Sequence, residues 1–222
     1  MRKLSEMDTV IINLKNDDRD EAVSRAASVL TAGGIVAFPT DTVYGLGAVY
    51  SQEQAVKRVF SAKERPENKP LSILVCDISQ VEMLAQDIPE DAYKLMKAFW
   101  PGALTLILKL KKDACVPEEI TAGKDTIGVR MPDSRLALDI IRAAGAPLAA
   151  PSANISGERS ACRADQVTQD LAGRIDMIID GGDCPIGLSS TIIDLSGPSY
   201  RLLRQGSISP EDIIKVTGDH EI

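Results

Sequence analysis

Short apolar runs that alternate with amphipathic helical patterns constrain this chain most. Residues 17–32 read as a helix: acidic residues open it, Ala22, Ala26, Val29 and Leu30 share one face, and Gly33-Gly34 ends it. Residues 35–38 follow as a buried strand. Ser51-Gln-Glu-Gln54 fits a capping box that starts a second helix, with Ala55, Val56, Val59 and Phe60 turned inward. Further strands are expected at 71–76, 104–110, 126–130, 147–150, 175–179, 191–195 and 200–203, and helices at 89–99, 134–144, 163–171 and 210–216. This alternation calls for an α/β sheet with helices packed on it. Several late strands have no helix between them, so the sheet should be mixed. No internal repeat, low-complexity run or domain linker stands out.

With 222 residues and 44% hydrophobic content, there is material for one large domain or two small ones with a buried core. A net charge of −7 argues against a surface given over to nucleic acid, although a local basic cleft remains compatible with it. Cys76, Cys115, Cys162 and Cys184 are widely spaced with no C-x-x-C pair, so neither a zinc knuckle nor a disulfide framework is indicated. Residues 1–7 are polar and the apolar Val10-Ile-Ile12 is too short for a signal peptide, so a soluble, cytoplasmic protein with no membrane contact is expected. The one histidine, His220, lies in the polar tail, which removes Ser-His-Asp, H-E-x-x-H and histidine-base chemistry. What remains is catalysis by charge, position and bound metal.

Candidates for that chemistry cluster where strands end. Pro39-Thr-Asp-Thr-Val-Tyr-Gly-Leu-Gly47 offers hydroxyls, one carboxylate and glycines that let backbone approach a ligand; a tight strand-to-helix turn is the alternative. Lys63, Arg65 and Lys69 could neutralise a triphosphate, or simply sit in a solvated loop, and no P-loop motif is present. Ser152, Asn154 and Ser156 could form a polar nest for anions, or a serine-rich helix cap. Arg130 ends a strand, where a cation must meet a carboxylate or phosphate, for instance an internal Asp133 or Asp180. Leu188-Ser-Ser-Thr191 and the strand-end Arg204 supply a second hydroxyl cluster and another cation.

Taken in order, Pro39-Thr-Asp-Thr-Val-Tyr-Gly-Leu-Gly47, Lys63-x-Arg65, Lys69-Pro-Leu71, Trp100-Pro-Gly102, Val129-Arg-Met-Pro132, Pro151-Ser-Ala-Asn154, Ser189-Ser-Thr191 and Leu203-Arg-x-Gly206 closely resemble the YrdC family of threonylcarbamoyl-adenylate synthases, over roughly residues 17–216. The resemblance implies a YrdC-like α/β fold, a twisted mixed sheet with flanking helices around a deep concave cavity. Residues 17–216 would form the catalytic domain, after an N-terminal segment, 1–16, that carries a first strand, and before a polar tail at 217–222. It also implies that L-threonine, bicarbonate or CO2, and ATP give L-threonylcarbamoyl-AMP and pyrophosphate, with Mg²⁺ accompanying ATP and the metal ligands unknown. A separate tRNA threonylcarbamoyl transferase complex would take the product to the adenosine next to the anticodon.

By the same resemblance Thr42, Leu74, Arg130, Ala150 and Ser190 fall where the family holds threonine. Arg65, Lys69, Thr126, Ser152, Asn154, Ser160 and Arg204 fall where it holds ATP, and Lys63, Arg65 and Lys69 would stabilise charge in the transfer. Leu74 departs from the histidine frequent in relatives, and longer relatives continue into a second domain, so a short form or a piece of a two-domain protein is expected. The competing readings are a carbamoyl-transfer module like that of hydrogenase maturation proteins and a double-stranded RNA module. The family's basic concave face leaves room for weak contact with tRNA or double-stranded RNA, against which stand the −7 charge and 4% aromatic content.

Overall fold

In the computed structural model, which describes residues 8–218, the apolar runs pair into one sheet and the helical faces cover it. Chain order is β1 (Val10–Asn13), α1 (Arg19–Thr31), β2 (Val36–Phe38), β3 (Gly45–Val49), α2 (Glu53–Lys63), β4 (Ser72–Leu74), α3 (Ile78–Leu84), α4 (Glu90–Phe99) and β5 (Leu104–Lys109). Then come α5 (Glu118–Thr121), β6 (Thr126–Arg130), α6 (Arg135–Ala144), β7 (Leu148–Ala149), α7 (Ala164–Leu171), β8 (Met177–Asp180), β9 (Thr191–Asp194), β10 (Arg201–Arg204) and α8 (Pro210–Thr217). Residues 1–7 and most of the expected tail, including His220, lie outside the described residues.

The strands lie in the order β1-β8-β2-β3-β7-β4-β6-β5-β9-β10. β1, β8 and β2 run parallel, as do β4 with β6 and β5 with β9; the remaining neighbours are antiparallel, so the twisted sheet is mixed as expected. Alternation sends the two sides of each strand into different cores. Val36, Phe38, Met177 and Ile179 join a core under α1 and α6, while Ala37 and Ile178 join the larger one with α2, α4 and α7. On α6 the spacing of Leu136, Ala137, Ile140, Ile141 and Ala144 makes one apolar stripe, and the Ser134 hydroxyl caps its start by accepting from Ala137 N at 3.3 Å. No helix among the described residues is long and apolar enough to cross a membrane.

Two local expectations are corrected. The Ser51 capping box does not form: the helix starts one residue later, after Gln52, which makes no side-chain cap, and its side chain is turned toward α1, where Nε2 donates to Thr31 O at 3.0 Å. The glycine-containing segment after Pro39 is not a strand-to-helix turn; it closes a hairpin into β3, whose five residues are all buried. Gly47 serves packing there rather than a ligand, since a Cβ would come 2.8 Å from the Phe38 ring. α3 and α5 are additions that the sequence pattern did not announce.

Candidate active site

The turn between β2 and β3 is built from its own hydroxyls. Thr40 Oγ1 donates to Val43 O at 2.7 Å, lies 3.0 Å from Thr42 Oγ1, and accepts from the Thr42 and Val43 amides. Backbone bonds from Tyr44 N to Ala161 O and from Ala153 N to Tyr44 O tie this turn to the chain after β7. Arg130, the last residue of β6, reaches across to it: Nη1 donates to Thr42 Oγ1 at 2.7 Å, Nε to Gly102 O at 2.9 Å, and Nη2 to Asp41 Oδ1. The partner of Arg130 is therefore Asp41, not Asp133 or Asp180. Both side chains are nearly sealed from solvent, at 7% and 5% exposure. Burial pushes the Asp41 carboxyl up and the Arg130 guanidinium down, and each partner opposes the other's shift.

Arg204 at the end of β10, near enough for its charge to push Arg130 further down, donates from Nε to Ser190 O at 2.9 Å and from Nη2 to Ser190 Oγ at 3.1 Å. Ser190 Oγ also lies 2.7 Å from Thr105 Oγ1. The chain leaves β10 so close to this turn that a Cβ on Gly206 would stand 2.3 Å from Ser189 O and 2.5 Å from Thr191 N. Gly206→Ala should therefore push the end of β10 off the site and cost about 1–3 kcal/mol by overpacking. Thermal unfolding checks this; unchanged stability would contradict it.

Arg65 follows α2 after a left-handed cap at Glu64, φ 52°. Its Nε and Nη2 donate to Lys69 O at 3.2 Å and Pro70 O at 2.8 Å. Among the described residues neither Arg65 nor Arg204 has a carboxylate partner, whereas Arg130 does. Partial burial pushes the Arg65 guanidinium down from the usual arginine range, a cost that a bound anion would offset, whereas Arg204 is shifted the same way but is exposed to solvent.

These walls enclose a pocket of about 210 Å³ open to solvent. Thr42, Leu74, Arg130, Ala150 and Ser190 all line it, with Arg65, Ser152 and Arg204. Pattern reasoning missed Thr40, Ser72 and Thr105 as lining residues; the last two sit in strands that read as ordinary apolar runs. The volume is below the roughly 300–1,000 Å³ of typical ligand pockets, so the enclosed part suits an amino-acid-sized molecule, with any larger group extending over the open side.

Lys63, Lys69, Thr126, Asn154 and Ser160 do not line the pocket. Thr126 opens β6, four residues from Arg130, and on a strand that places it about 13 Å away. Lys69 is exposed, and the Ser160 carbonyl faces the Cys162 thiol at 3.8 Å. Asn154 Nδ2 is spent within its own turn, on Ile155 O and Glu158 O at 2.7 and 2.9 Å. Lys63 is 1% exposed and donates from Nζ to the carbonyls of Ser152 and Asn154, so it holds the turn that presents Ser152. The Ser156 amide, expected to help form an anion nest, instead donates to Lys63 O at 2.8 Å.

Burial and the charge of Arg65 push the Lys63 ammonium down to about 7 from 10.5, with Asp170 opposing them. Between those values the unfolded chain holds more protons than the folded one, so stability from this group rises with pH. From about pH 7 to 8.5, below the thiol range, the urea midpoint of the wild type should rise relative to Lys63→Met. Parallel profiles would mean that the two carbonyls keep the proton on Lys63.

No group of three or more His, Cys, Asp or Glu among the described residues could hold a metal, and no carboxylate lines the pocket. The donor set therefore fits anions and hydroxyls, and a metal would have to arrive on the substrate's own phosphates.

Residues 28–206 match the model of the Sua5/YciO/YrdC family, described as Telomere recombination. Threonylcarbamoyl-AMP synthase of Pyrococcus abyssi is 48% identical over 214 residues, 96% of this chain and 62% of the relative. That of Bacillus subtilis is 50% identical over 199 residues, 90% of this chain and 57% of the relative. This chain thus spans about six-tenths of the length of those relatives. The crystal structure of P. abyssi Sua5 complexed with L-threonine superposes with a TM-score of 0.91 at 47% identity, covering 96% of this chain and 62% of that one. Escherichia coli YciO superposes at 0.81 with 25% identity, covering 93% of this chain and 99% of that one. Matched along most of its length in sequence and in fold, this chain belongs to the Sua5/YciO/YrdC family.

Proposed function

We propose that this chain makes L-threonylcarbamoyl-AMP and pyrophosphate from L-threonine, bicarbonate or CO2, and ATP. The observation that carries the reading is the division of charge in one pocket. Arg130 is matched by a buried carboxylate, while Arg65 and Arg204 are paired only with carbonyls and a hydroxyl. The matched end suits a zwitterion and the unmatched pair suits a polyphosphate. The names of the relatives, and the threonine bound to P. abyssi Sua5, support the same assignment.

In this reading the free N–H groups of Arg130 pair with the threonine carboxylate, and Thr42, Ser190, Leu74 and Ala150 enclose the rest of the amino acid. Its amine adds to CO2 with loss of a proton, giving a carbamate. A carbamate oxygen then forms a bond to the α-phosphorus as the bond to the β-phosphate oxygen breaks. Arg65 and Arg204, with Ser152, hold the charge that leaves with pyrophosphate, so no enzyme nucleophile is needed. Lys63 acts from behind by fixing the Ser152 turn, and Lys69 stands at the open side to meet phosphates. Thr126, Asn154 and Ser160, which the family resemblance assigns to ATP, lie off the enclosed part of the pocket, so any contact they make would be with the portion of ATP beyond it.

No carboxylate lines the pocket, so Mg²⁺ would be carried by the phosphates of ATP, where it would supply charge neutralisation beside Arg65 and Arg204. The reaction runs in the cytoplasm, a compartment in keeping with the four free cysteines. The anhydride product is handed to a separate transferase acting on tRNA. The test is pyrophosphate release from ATP, with threonine or bicarbonate omitted in turn and serine as comparison. Release that needs both supports the reading; release without either, or none from folded protein that binds ATP, overturns it.

A further inference from the structure

Asp41 is placed to act on the pocket without touching what the pocket holds. Its side chain is 5% exposed and is not on the wall, so a ligand can meet it only through Arg130. Three donor atoms of Arg130 are committed to Gly102 O, Thr42 Oγ1 and Asp41 Oδ1. A guanidinium has five N–H groups, so two remain for a ligand. The second carboxylate oxygen, Asp41 Oδ2, is buried with no hydrogen-bond partner. Leaving a carboxylate oxygen without a hydrogen bond in a buried place is costly, and the nearby backbone N–H groups of Asp41 and Asp133 offset that only in part, since burial still pushes the carboxyl up.

The backbone around it is held in place, and the Arg130 bond holds the side chain. Asp41 O accepts from Ile186 N at 3.0 Å, and Thr40 and Thr42 lock the backbone on either side. The negative charge is thus fixed behind Arg130, in surroundings that screen it weakly. Arg65 and Arg204 have no such companion among the described residues, although they line the same pocket.

We infer that Asp41 is a specificity-determining counter-ion: it makes the Arg130 end of the pocket accept a zwitterionic amino acid and turn away polyanions such as pyrophosphate. The carboxylate of a zwitterion pairs with the free N–H groups of Arg130 while its ammonium sits in the field of Asp41. A polyanion at the same place gains Arg130 but meets the like charge of Asp41, and goes to the unmatched arginines instead. This rests on the synthase reading and adds a reason why one pocket with three arginines can sort two anionic substrates.

The test is calorimetric titration of wild type, Asp41→Asn and Asp41→Ser with L-threonine, ATP, pyrophosphate and 3-hydroxybutanoate, which is threonine without its ammonium. Asn keeps an oxygen for Arg130 Nη2 and removes only the charge; Ser is the second variant should Asn misfold. The preference for threonine over 3-hydroxybutanoate should fall by about tenfold or more in the variants, since a unit charge a few ångströms from the ligand is gone. Pyrophosphate should become able to displace threonine, with ATP affinity held within about twofold. An unchanged preference in folded variants overturns the role of Asp41 alone. Loss of every ligand together with the fold in both variants also overturns it, because Asp41 would then be structural. A wild type that binds ATP but no threonine overturns the synthase reading as well.

Discussion

Arg130→Met should abolish threonine-dependent pyrophosphate release, by at least about two decades in kcat/KM for threonine. The same substitution should also destabilise the protein by about 3–5 kcal/mol, because Asp41 would be left as a buried charge without its cation. The two effects separate in the double variant Asp41→Asn/Arg130→Met. Removing both charges should restore much of the lost stability, as replacing a whole buried ion pair commonly does, while activity stays lost. Urea denaturation and pyrophosphate release measure the two quantities on the same preparations. A double variant no more stable than Arg130→Met would mean that Asp41 is not the partner that matters; an active Arg130→Met would remove the carboxylate anchor from the account.

Arg65→Ala should behave differently. Its partners are the carbonyls of Lys69 and Pro70 in a polar loop, so no buried charge is orphaned. Stability should change by less than about 1 kcal/mol. The rate should nonetheless fall by at least about two decades, the order of losing one preorganised donor aimed at developing charge. Threonine affinity should hold, since the proposed threonine end is organised around Arg130. Single-turnover kinetics with saturating ATP separate the chemical step from binding. Turnover at the wild-type rate would show that the leaving pyrophosphate is held elsewhere.

Comparison of these two arginines shows what the amino-acid sequence can disclose. The apolar faces of α1 and α6 and the β-branched runs of β8 and β9 were legible because burial imposes a period on them. β3 was not, because Gly45-Leu-Gly-Ala-Val49 carries the glycines of a loop, and its strand character comes from pairing with β2 and β7. The position of Arg65 beside the pocket followed from motif resemblance, but its lack of a counter-ion needed coordinates. Asp41 and Arg130 are separated by 89 residues, and nothing local distinguishes Asp41 from Asp133 or Asp180 as the partner.

Lys63 points away from the enclosed pocket and into the turn that presents Ser152. In a charge run it reads as one more phosphate ligand, yet Val56, Val59, Phe60 and Lys63 follow the i, i+3, i+4, i+7 spacing of a buried helix face. That period was visible and points inward. The five residues of the implied threonine site do share a pocket, whereas Lys63, Lys69, Thr126, Asn154 and Ser160 lie off its wall. Motif matching carries the residue type at a position, but the direction of a side chain is fixed by packing and register.

In the proposed reaction one pocket joins bicarbonate-derived carbon to an amino acid and then to adenylate. Mass spectrometry of the nucleotide product formed from ATP, L-threonine and [13C]bicarbonate tests this most directly. Threonylcarbamoyl-AMP carrying the labelled carbon, formed together with pyrophosphate, is the expected product. An unlabelled threonyl adenylate, or AMP alone whatever the bicarbonate supply, would contradict it.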